Sequence, residues 1–74
     1  MFHLKIVKDH KQLKQFSIPK YNPFVGRSPL VAEAFQFAYD NDADYIEQCG
    51  GNGRVSGMYY KKDIEGAVLK NFNN

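Results

Sequence analysis

The run Gly50-Gly51-Asn52-Gly53 separates two stretches of strand-forming residues, 45–49 and 54–61, and leaves the backbone little choice but to reverse between them. Glycine and asparagine reach positive φ at low cost, which is what hairpin loops require. A β-hairpin is therefore expected here, and the rest of the fold must be arranged around it. Gly57 inside the second arm predicts a bulge or a close backbone approach.

The flanking segments supply the other elements. Phe2, Leu4 and Ile6 alternate with His3, Lys5 and Val7, a period of two that predicts a strand over 2–7 with one face on a core. Asp9 then offers a cap for a short turn of helix running through Leu13 to Phe16. Residues 17–27 hold Pro19, Pro23 and Gly26, which forbid a continuous helix and hold Ile18 and Asn22 extended. Ser28-Pro29 reads as an N-cap followed by a first helical residue, and opens a helix over 29–40. At 100° per residue Leu30, Ala34, Phe37 and Ala38 share one face of it, Val31, Phe35 and Tyr39 widen that face, and Glu33, Gln36 and Asp40 form the polar strip. Phe35 or Tyr39 is expected at the margin. A closing helix starts at Asp63 as N-cap, with Ile64, Ala67, Val68 and Phe72 at helical spacing.

These elements predict an α+β fold in one domain over 1–74. A small antiparallel sheet, made of the N-terminal strand and the Gly-rich hairpin, is covered by the main helix and the short C-terminal one, in the order β-α-β-β-α. A winged-helix-like arrangement is the alternative, with 9–16 and 29–40 as successive helices and the hairpin as the wing.

At 74 residues, such a chain buries about 60% of the surface its unfolded form exposes, which leaves no room for a deep substrate cavity. Cys49 is the only cysteine, so no disulfide within the chain or cysteine-rich zinc knuckle is available. A reducing, cytoplasmic location is expected, with neither a signal peptide nor a membrane span, and Cys49 itself as a small buried apolar residue. The apolar runs are only a few residues long.

The charges are sorted by position behind a net of only +2. Lys5, Lys8, Lys11, Lys14, Lys20 and Arg27 stand against Asp9 alone in the first 27 residues, while Glu33, Asp40, Asp42, Asp44 and Glu47 outnumber Arg54 in the next stretch. Such a dipolar distribution steers charged partners.

Most catalytic or metal readings fail on spacing. Asp40, Asp42 and Asp44 alternate like the start of an EF-hand loop, but its sixth and twelfth positions, a glycine and a glutamate, are here Tyr45 and Gly51. A solvated acidic turn, or a surface that meets a basic partner, fits better. His3 and His10 have no ligand or nucleophile at a useful spacing. The Gly50–Gly53 run opens a strand, whereas phosphate-binding loops open a helix. No cofactor, metal or catalytic set is expected, and the chain reads as non-enzymatic.

Binding is the remaining class. The first expectation is a small binding protein that docks on a larger protein as a regulator or inhibitor, a size and character shared with intracellular phage and mobile-element inhibitors. Its anchors would be Phe24, Arg27, Tyr39, Arg54 and Tyr60, since aromatic and arginine side chains dominate interface energies. The alternative is a nucleic-acid-binding module in which Arg54, Tyr60, Lys61 and Lys62 stack bases and neutralise phosphates. Tyr59 and Tyr60 point to opposite faces of a strand, so at most one serves such a platform. The lysines at 5, 8, 11 and 14 fit charged positions that discourage aggregation of an edge strand, or a basic patch.

Overall fold

The computed structural model describes residues 2–19 and 29–71, with side chains through Leu69. It is an α+β domain with the elements β1 (Phe2–Lys8), β2 (Lys11–Ile18), α1 (Pro29–Asp40), β3 (Tyr45–Gly50), β4 (Val55–Tyr60) and α2 (Lys61–Asn71). The four strands form one antiparallel sheet in the order β2-β1-β3-β4. The chain thus runs ββα twice, and the first strand of each half, β1 and β3, lies at the centre of the sheet.

One expectation is corrected. Residues 9–16 form a tight turn and a strand, so the fold gains β2, and among the described residues no helix precedes α1; with 9–16 extended, the two successive helices of a winged helix are not formed. Lys8 pairs with Lys11 across Asp9 and His10, whose φ values are 52° and 64°. Two positive-φ residues between paired strands give the twist that short hairpins favour, a role usually taken by Asn-Gly. The Asp9 amide donates to Asp44 Oδ2 (2.8 Å), and Asp44 N–H donates to Val7 O (2.9 Å), so the α1–β3 turn holds this hairpin tip. Residues 11–15 are all exposed, and only Phe16 and Ile18 of β2 are buried.

The Gly-rich hairpin forms as the sequence requires. Gly50 N–H donates to Arg54 O (2.8 Å), Gly53 N–H to Gly50 O (2.9 Å), and Gly53 has φ 85°. Asn52 Oδ1 accepts the Arg54 amide (3.0 Å). Gln48 faces Gly57 and Cys49 faces Val55, so Ser56 is the extra residue of a bulge beside Gly57.

The C-terminus of α1 is a Schellman turn: Ala43 N–H donates to Ala38 O (2.9 Å) and Asp42 N–H to Tyr39 O (3.2 Å). Asp42 takes the left-handed position there, with φ 54°, and Ala43 is buried just after it. The following helix starts without a linker. Asp63 is its third residue rather than its N-cap, and Asp63 Oδ2 accepts the Tyr60 amide (3.1 Å), half of a capping box.

Both helices pack on one face of the sheet. Leu4, Ile6, Phe16, Ile18 and Ile46 from the strands meet Ala34, Phe35, Ala38, Ile64 and Val68 from the helices, with Ala43 closing the cluster. Phe35 belongs to this core and stacks edge-on against Tyr59 at 5.2 Å, while Leu30 is exposed and Tyr39 stands at the margin. Phe37 is half-buried against Phe16 (5.9 Å), with Lys14 Nζ 5.3 Å from its ring. No helix among the described residues is long and apolar enough to cross a membrane.

Candidate functional site

Strand alternation puts a second set of side chains on the sheet face opposite the helices. With Leu4, Ile6 and Ile46 turned to the core, His3, Lys5 and Val7 of β1 and Tyr45, Glu47 and Cys49 of β3 point the other way. The registers Tyr45↔Tyr60, Glu47↔Met58 and Cys49↔Val55 continue that face onto β4, and His3↔Ser17 and Lys5↔Gln15 continue it onto β2. No helix among the described residues covers this face.

The face divides into two halves. Apart from the buried Val7, the β1–β2 half is polar, with Ser17, His3, Gln15 and Lys5, and His3 Nδ1 lies 3.0 Å from Ser17 Oγ. The β3–β4 half is mainly apolar: Tyr45, Met58, Tyr60, Val55 and Cys49 surround Glu47. Val55 is 54% exposed and Tyr60 56% exposed, high values for large apolar side chains. The Tyr45 and Tyr60 rings lie 6.3 Å apart at 54°. Cys49 is buried, and its Sγ donates to Glu47 Oε1 (3.4 Å). Burial raises its thiol pKa above the ordinary 9.0, and the bond to Glu47 adds to the rise. A thiol held protonated in this way is a poor nucleophile.

The sequence-derived candidates fall on different surfaces. Tyr60 stands on the open face and Arg54 just before β4, both exposed. Tyr39 belongs to the helix layer, in a cleft of about 480 Å³ between the end of α1 and the start of α2, lined also by Asp40, Asp42, Lys61, Ile64 and Glu65. Phe24 and Arg27 lie outside the described residues. Lys61 Nζ is 3.2 Å from Asp42 Oδ1 and 3.9 Å from Asp44 Oδ1, while Lys62 is exposed and makes no ion pair among the described residues. Tyr59 turns to the helix side, where its hydroxyl donates to Gln48 Oε1 (2.8 Å). Lys11 and Lys14 lie on the edge strand β2 and Lys5 and Lys8 on the central strand β1, so the four lysines form no single stripe.

Tyr45, Val55 and Met58 belong to this face although none is among the anchors that residue type alone suggests. The alternation of Met58 and Tyr60 against Tyr59 was the available signal. Among the described residues no three His, Cys, Asp or Glu side chains are grouped to hold a metal ion. No protein-family model, curated protein or solved structure matches the chain.

Proposed function

We propose that this protein is a non-enzymatic binding module that docks on a larger protein through the β3–β4 half of its open sheet face and regulates or inhibits that partner by occupying it. The observation that carries this reading is the exposure of Val55 and Tyr60 beside Met58 and Tyr45 on a face that no described helix covers. Contiguous apolar surface of this kind, rimmed by polar groups, marks interaction sites. The rim here is Lys5 and Arg54, Glu47 lies inside the patch, and Tyr60 supplies the aromatic anchor on which interface energies concentrate.

The nucleic-acid reading draws on a different observation, the adjacent Tyr45 and Tyr60 rings, because open four-stranded sheets can stack bases on such side chains. Electrostatics favour a protein. Lys61, one of the cations that would neutralise phosphates, is engaged by Asp42 and Asp44, and Glu47 sits within the aromatic patch.

Capture of partners from the native cell, with and without nuclease, separates the readings. Wild-type protein is expected to retain a protein after nuclease, and Tyr60→Ala and Val55→Ser, each checked for folding, are expected to lose it at least tenfold. Retention of nucleic acid alone, or undiminished capture by both variants, would overturn the proposal.

A further inference from the structure

We infer that β4 takes up an extended segment of the protein partner as a fifth strand of the sheet, and that this segment carries acidic residues at its two ends. This rests on the docking reading above and specifies its mode. The two edges of the sheet differ in kind. β2 contains Lys11 and Lys14, and its pairing with β1 is interrupted by a bulge between Ile6 and Val7. Charges and bulges on an edge discourage strand addition. β4 reads Val-Ser-Gly-Met-Tyr-Tyr, without charge or proline, and its one bulge lies near its N-terminal end at Ser56.

The backbone defines where addition occurs. The Tyr60 amide donates to Asp63 rather than to β3, which places it on the outer side of β4. Along an antiparallel strand the N–H and C=O of successive residues alternate in direction, so those of Met58 also face outward, while Gly57 and Tyr59 face β3. Met58 is thus the residue whose two backbone groups an incoming strand engages, and Asp63 closes the edge beyond it. The Met58 side chain lies between Val55 and Tyr60 on the open face, so the added strand extends the same apolar surface.

Charge selects the occupant. A second copy pairing antiparallel about Met58 would bring Arg54, just before one β4, toward Lys62 in the first turn of the other copy's α2, and like charges brought together repel. Arg54 and Lys62 make no ion pair among the described residues, in contrast to Lys61. A foreign strand with an acidic residue near each end satisfies both cations, and strand addition with pockets for alternate side chains is an established recognition mode.

The test uses the full chain with the Met58 amide N-methylated, made by ligating a synthetic 49–74 segment through Cys49 to residues 1–48. The probe is the peptide Asp-Thr-Val-Thr-Val-Thr-Val-Thr-Glu, compared with the same peptide ending in lysines. The acidic peptide is expected to bind unmodified protein at least tenfold tighter than the lysine form, and N-methylation is expected to abolish binding with the unfolding midpoint unchanged. In the unmodified protein, Met58 amide exchange should slow when the acidic peptide is added; this arm decides if the methylated chain does not fold. Equal binding of both peptides, binding that survives methylation, or an unchanged exchange rate overturns the inference. If Tyr60-dependent capture of a protein persists in any of those cases, the docking face stands and only its edge-strand mode fails.

Discussion

The Asp9 amide donates to the Asp44 carboxylate at 2.8 Å, across 35 residues of chain, and joins the tip of the β1–β2 hairpin to the turn that leads from α1 into β3. This bond links the two ββα halves at the end of the sheet where Tyr45 begins.

Asp44→Ala is expected to lower stability by about 1 kcal/mol, below the roughly 1.5–3 kcal/mol of a hydrogen bond to a charged group, because the carboxylate is partly solvated. Asp44→Asn, which keeps an acceptor oxygen, should lose less. Urea unfolding of the two variants measures both, and no change in either would show that the bond contributes nothing.

The positive-φ residues give two tests of the same sign, both expected to stabilise. His10→Gly and Asp42→Gly each place glycine where an L-residue holds a left-handed conformation, and each is expected to gain about 0.5–1 kcal/mol. At Asp42 the gain is offset in part by loss of the exposed Lys61 pair. Thermal unfolding checks both, and a loss at His10 would contradict the assigned turn.

Ile46 is fully buried at the centre of the sheet. Ile46→Ala is expected to cost about 3–4 kcal/mol, within the usual range for deleting a core aliphatic side chain. A domain this size has only about 4–11 kcal/mol in total, so the variant should be partly unfolded at 37 °C. Circular dichroism at that temperature is the measurement.

Cys49 gives a pH prediction. Its folded pKa lies above the unfolded value, so the thiol's contribution is fully present below about pH 9 and is lost as pH rises through the folded pKa. Stability should therefore fall more steeply above pH 9 in the wild type than in Cys49→Ala, as read by denaturant midpoints from pH 8 to 11. Iodoacetamide should label Cys49 slowly in the folded protein and quickly in urea. Parallel pH curves for the two proteins would contradict the assignment.

The segments that were legible in the sequence carry their own structural signals. Glycines marked the β3–β4 hairpin, Ser28-Pro29 marked the start of α1, and alternation marked β1. β2 was not legible because five of its first residues are exposed lysine, glutamine and leucine, with nothing for a period to register. Its turn is built from Asp9 and His10, both at positive φ, and the Asp9 amide is bonded to Asp44, a residue distant in sequence. The helical arc alone leaves Phe35 and Tyr39 as alternatives for the margin because it does not say where the sheet lies; Tyr39 stands there, and β4 brings Tyr59 over Phe35. Tyr60 was singled out by residue type, but Tyr45 joined it only through the β3–β4 register, which fixes which rings share a face.

The proposed function requires a protein partner to sit on the β3–β4 half of the open face. Site-specific photo-crosslinking in the native cell locates that partner, with a benzophenone side chain placed at Met58 on the open face or at Glu33 on the exposed side of α1. A nuclease-resistant protein adduct is expected from position 58 and none from position 33. Adducts from position 33 alone, or nucleic-acid adducts from position 58, would contradict it.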